Sequence, residues 1–236
     1  MSNPSNVTVQ LTAAAATGAY NGTIAATGAL TLAGSLVTGT VATMPQARRV
    51  AFTSTGSDTA NIFTITGTNL SGAVITETVT GLTNAAPQTS AYDYVTVTRI
   101  SASATSANTI TIGSSVVGSS PWVLDNFLSR AWFLAGGIVG PTGTTYTLEF
   151  TFDDPNATAG SGLVGAEQFS MNAGSNLPPA VFPSTAAING TAIVAASGVQ
   201  TFAFANFPVF AHRVTVNSGT GAVTMQSIQA GMSSGW

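Results

Sequence analysis

Apolar and polar residues alternate along much of this chain. From Tyr146 to Phe152 every second side chain is aromatic or leucine, and Thr147, Glu149 and Thr151 fall between them. That two-residue period belongs to a strand with one face buried. Asn61–Thr66 and Ala73–Thr80 are rich in β-branched and aromatic residues, which favour strands. The segment Thr68–Gly72 between them carries turn residues, so the pair predicts a hairpin. Arg49–Thr53, Tyr94–Ile100 and Asn108–Ile112 complete a first strand-rich block. Arg213–Asn217 and Ala222–Ile228, joined by Ser218–Gly221, predict a second hairpin.

Short strands punctuated by turns predict an all-β fold of two antiparallel β-sandwich-like domains with an extended N-terminal arm. The expected boundaries are 1–22 for the arm, 23–120 for the first domain and 121–236 for the second. The second domain carries a long Pro/Gly-rich loop over 155–183, where proline withholds ladder donors. A helix of one or two turns is conceivable over Leu124–Ala131, with Asp125 as its cap. Ala47–Ser54 echoes Ala211–Ser218 in placing an arginine ahead of an alternating strand. Two related domains and chance similarity between Thr/Val strands both account for that echo.

Composition narrows the function. Only 6% of the 236 residues are charged, and the net charge is -3. The five cations are all arginines, of which only Arg48 and Arg49 are adjacent, so a phosphate-neutralising surface and nucleic-acid binding are not expected. There is no cysteine and no lysine, which removes disulfides, thiol catalysis and lysine chemistry within the chain. With 44% apolar residues the chain has enough to build a core rather than remain disordered. The most apolar run, Ala131–Val139, is about half the ~20 residues that a membrane helix requires. No positive stretch precedes Ala13–Ala16, so neither a secretory leader nor membrane attachment is expected.

Candidate chemistry is sparse. His212 is the one general base of the usual kind, and no Gly-x-Ser-x-Gly elbow accompanies it, so it reads as a surface or edge histidine. No pair among the eight carboxylates is marked out for glycoside hydrolysis. Asp153-Asp154-Pro155-Asn156 falls short of the six to eight oxygens that calcium takes and reads as a turn. Four Asn-x-Thr sequons, at Asn6, Asn21, Asn156 and Asn189, are expected by chance in so Asn- and Thr-rich a chain. No catalytic, cofactor or metal site is therefore expected. The aromatic residues are the remaining candidates: Trp122, Trp132, Phe133 and the terminal Trp236 are assigned to subunit interfaces, with core packing as the alternative.

Arg49–Gly56, Phe63–Asn69, Thr76–Gly81 and Tyr94–Ile100, followed by Tyr146–Pro155, Ala211–Val214 and Ile228–Gly231, together resemble virion structural proteins of tailed bacteriophages. The resemblance spans Arg48 to Gly231 and lapses over Glu167–Ala180. It implies a virion structural part without fixing which one; with the nearly uncharged, strand-rich surface, the expectation is a capsid cement or decoration protein, made in the host cytoplasm. Such a protein binds the major capsid protein and copies of itself, as a dimer or trimer. A tail or fibre adaptor is the first alternative. The second is a carbohydrate-binding adhesion module using Trp122, Trp132 and Tyr92–Tyr94 as platforms.

Overall fold

The computed structural model describes residues 3–84, 87–125, 133–152, 182–183, 193–205 and 209–230. Every element among them is a strand, and none is a helix. The chain divides into two compact units, one formed by Met1–Thr12 with Ser119–Trp236 and the other by Ala13–Gly118. The second is thus inserted between the first strand of the other unit and its remaining strands.

The inserted unit is built on the ladder β7 (Val74–Val79), β6 (Phe63–Thr68), β9 (Tyr94–Ala102), β5 (Val41–Ser54) and β10 (Ser106–Ser119). Short strands β2 (Tyr20–Ile24), β3 (Gly28–Ala29), β4 (Val37–Thr38) and β8 (Gln88–Thr89) pair with β10, β9 and β5. The β6–β7 hairpin forms where alternation predicts it, with Phe63 opposite Val79 and Thr68 opposite Val74. The Asn69 carboxamide oxygen closes its loop by accepting the N–H groups of Ser71 (3.0 Å) and Ala73 (2.9 Å). Pro45 has no N–H to give, and the β5–β9 register shifts between Thr43 and Arg48, where it lies. Phe52, Phe63, Ile65, Tyr94, Ile100 and Ile112 are all buried in this core.

The other unit packs two sheets face to face. One has the order β1 (Asn3–Leu11), β17 (Gly221–Ala230), β12 (Phe133–Val139), β15 (Val199–Ala205). In the facing layer, β16 (Ala211–Ser218) lies between β13 (Thr145–Thr151) and β11 (Val123–Leu124), with β14 (Phe182–Pro183) beyond β13. Tyr146, Leu148 and Phe150 point into the core as their period requires, against Val214 and Val216 from β16 and Val223 and Met225 from β17.

Three expectations change here. The N-terminal segment is not a free arm: Asn3–Leu11 is paired with β17 over its whole length, because Val7, Val9 and Leu11 alternate toward the core. The predicted second hairpin does not form. β16 and β17 follow one another in sequence but lie in opposite layers, so their alternating apolar faces meet across the core instead of side by side. Gly219 (φ 88°) and Gly221 (φ 127°) make that crossing in backbone conformations that side chains resist. His212 is neither at the surface nor on an edge strand, but wholly buried. Of the helix considered over Leu124–Ala131, Leu124 belongs to β11, and the part beyond Asp125 lies outside the described residues. Asp153–Asn156 and most of the 155–183 loop lie outside them too.

Candidate functional site

Sequence parity places His212 in the core. On β16 the buried Val214 and Val216 share its face, while Arg213 turns outward. A buried imidazole must have partners, because an unpaired polar group inside costs about 1–3 kcal/mol. It has two: Nδ1 lies 2.8 Å from Asp125 Oδ2, and Nε2 lies 3.0 Å from Ser227 Oγ. Ser227 Oγ in turn lies 2.7 Å from Ser5 Oγ. With the Asp125 carboxyl ionised and the His212 ring neutral, one order of protons satisfies the whole row. The Ser5 hydroxyl donates to Ser227, the Ser227 hydroxyl donates to His212 Nε2, and Nδ1–H donates to the Asp125 carboxylate.

Register explains why these groups meet. Across the four-stranded sheet, Ser5, Ser227, Gly136 and Phe202 are successive opposite residues on the inward face. Gly136 has no side chain, and a Cβ there would come within 2.2 Å of Gln226 O and 2.6 Å of Phe202 Cζ. The Phe202 ring uses that space and sits with its centroid 6.1 Å from that of His212. Asp125 follows β11, whose Val123 is paired with His212 itself. Burial pushes the Asp125 carboxyl above its ordinary value, and its contact with His212 opposes that rise.

Aspartate, histidine and serine in this order form the hydrogen-bond chain of a serine hydrolase triad. The setting of the serine differs. Ser227 lies inside β17, which is paired with β1 along one edge and β12 along the other, so the surrounding N–H groups serve ladders rather than an oxyanion. A hydrolase nucleophile stands on a sharp turn with its hydroxyl exposed. Here the hydroxyl is buried and held from two sides. What this row does in the fold is tie four elements together: β1, β17, β16 and the segment after β11 that carries Asp125.

The outward side of β16 holds the other polar group. Glu149 Oε2 accepts from Arg213 Nε (2.8 Å) and from the Thr215 hydroxyl (2.7 Å). The Arg213 guanidinium also lies over the Trp122 ring, 4.5 Å from its centroid. Trp122 is half-buried, and one of its faces is occupied. Tyr94 is buried, so it offers no platform to a sugar, and Tyr92 packs against the core of the inserted unit. Trp132, Trp236 and the Phe133 side chain lie outside the described residues. Among the described residues, no three of His, Asp and Glu gather as a metal site.

The opposite face of the four-stranded sheet is of another kind. On β1 the outward residues are Pro4, Asn6, Thr8 and Gln10, and on β17 they are Ala222, Thr224, Gln226 and Ile228. The outward residues of β12 and β15, Ala135, Gly137, Val139, Val199, Thr201 and Ala203, continue it. None of these residues is ionisable. Val199 is 70% exposed, Val139 53% and Ile228 49%, in an otherwise small-residue and amide surface. No family model matches the chain, and no curated protein or solved structure matches it either.

Proposed function

We propose that this chain is a structural protein of a tailed-phage virion, a capsid cement or decoration protein that binds the outside of the head and bridges capsomers. The observation that carries the reading is the uncharged outward face of the β1–β17–β12–β15 sheet, with its exposed Val139, Val199 and Ile228. Such a surface approaches another protein without desolvating ions, which is the costly part of burying a polar face. A head shell repeats the same site many times, so modest contacts add up through multivalency. The partners on this reading are the major capsid protein and further copies of this chain. Its location is the virion, after synthesis in the host cytoplasm. The reading assigns no catalysis, in keeping with a Ser227 hydroxyl that is buried and tied inside a central strand.

The test is the number of copies per virion, measured by quantitative mass spectrometry of purified particles. Hundreds of copies are expected for a shell component, whereas about six to eighteen would follow the lower symmetry of a tail and support the adaptor alternative. Absence of the chain from particles overturns both readings.

A further inference from the structure

We propose that two copies of this chain join edge to edge through β1, antiparallel about Thr8, so that one sheet runs through both. The inference goes beyond shell binding and does not depend on it. β1 ends the sheet order and, among the described residues, is paired on one edge only, with β17. It is nine residues long, carries no charged side chain, and its register with β17 runs from Asn3 to Leu11 without a bulge. Proteins that keep an edge strand single shorten it, charge it, kink it or cover it. Here Pro4, at one end, is the one interrupting residue.

Pro4 also indicates which groups face the open edge. A proline in a paired strand is accommodated where its missing N–H faces away from the ladder. By the two-residue period, Asn6, Thr8 and Gln10 then direct their N–H and C=O groups outward. Pairing about Thr8 sets Thr8 opposite the partner's Thr8, Asn6 opposite the partner's Gln10, and Val7 opposite the partner's Val9. About six main-chain hydrogen bonds form, and Pro4 lies outside them. Inward and outward faces match in this register. Val7, left half-buried at the edge, gains an apolar neighbour. On the outward face the Thr8 hydroxyl already lies 3.1 Å from that of Thr224, so the row of paired threonines continues across the two-fold axis. The contact is isologous and closes at two copies.

The experiment uses the purified full chain without virions, so its outcome is separate from the copy-number test. Sedimentation velocity over a concentration series should show wild type passing from 23.6 kDa to twice that mass. Thr8→Lys sets two like charges opposite each other on the axis and should lose the doubled mass while melting as wild type does at concentrations where wild type is single-copy, since Thr8 is exposed. The chain has no cysteine, so Thr8→Cys reports the register directly. Under mild oxidation it should crosslink into a covalent dimer well ahead of Thr224→Cys, one strand inward on the same face. Wild type at single-copy mass throughout overturns the proposal. So does a Thr8→Lys variant that dimerises as wild type does, or a dimer in which Thr8→Cys crosslinks no faster than Thr224→Cys.

Discussion

Replacing His212 by alanine is the sharpest test of the buried row. The substitution removes the ring between the two layers and both of its hydrogen bonds. Ser227 keeps Ser5 as a partner, so its loss is about 1 kcal/mol. Asp125 fares worse: its carboxylate, 2% exposed, loses the imidazole that faces it. Stranding one member of a buried pair costs about 3–5 kcal/mol, and that term dominates. For a chain of this size the melting temperature should fall by about 6–20 °C. Chemical denaturation followed by circular dichroism measures the change. The cause is isolated by adding Asp125→Asn, which removes the stranded charge and should recover about 1–2 kcal/mol. A His212→Ala variant within about 0.5 kcal/mol of wild type refutes the reasoning, as does a double variant no more stable than the single one.

Further expectations concern pH, packing and reactivity. Because burial holds the Asp125 carboxyl above its ordinary value, the folded chain keeps that proton to higher pH than the unfolded chain. Its contribution to stability is therefore greatest below the ordinary carboxylate range and declines as pH rises through the raised value; urea midpoints across pH should show Asp125→Asn lacking that decline. Asp58 has the opposite sign. Burial raises its carboxyl, but hydrogen bonds from Ser106, Ser54 and Asn108 together outweigh burial and hold it below the ordinary value. Its contribution is present above the ordinary carboxylate value and lost as pH falls through the lowered one, and Asp58→Asn should show less acid loss in the same titration. Gly136→Ala drives a Cβ against Gln226 O and Phe202, and should cost about 1–3 kcal/mol or more by thermal melting. A fluorophosphonate probe, read by peptide mapping, should leave Ser227 unlabelled in the folded protein; labelling there would revive a hydrolase.

The strands were legible where alternation was strong, as in Tyr146–Phe150 and the β6–β7 hairpin. Period two tells which residues face inward, not which sheet a strand joins, and so β16 and β17 read as a hairpin although they face each other across the core. The N-terminal strand was hidden by its surroundings: Ser5, Val7, Val9 and Leu11 alternate, but the Ala/Thr/Gly-rich stretch that follows dilutes the pattern. The polar row was legible in one respect. His212 shares parity with Val214 and Val216, which places an imidazole in the core and obliges it to find partners. Their identity was not legible, because Asp125 is 87 residues away, and Ser227 arrives only through the cross-layer turn.

The earliest strand of this chain waits for the last. Ser5 and Ser227, joined by a hydroxyl contact, are 222 residues apart. A ribosome releases β17 late, well after Ala13–Gly118 has emerged and become free to fold. Until then β1 has no neighbour to lie against, and His212 lacks its serine. A product cut short before β17 therefore leaves Val7, Val9 and Leu11 of β1 without the strand they pair with, a bare segment that proteases can recognise.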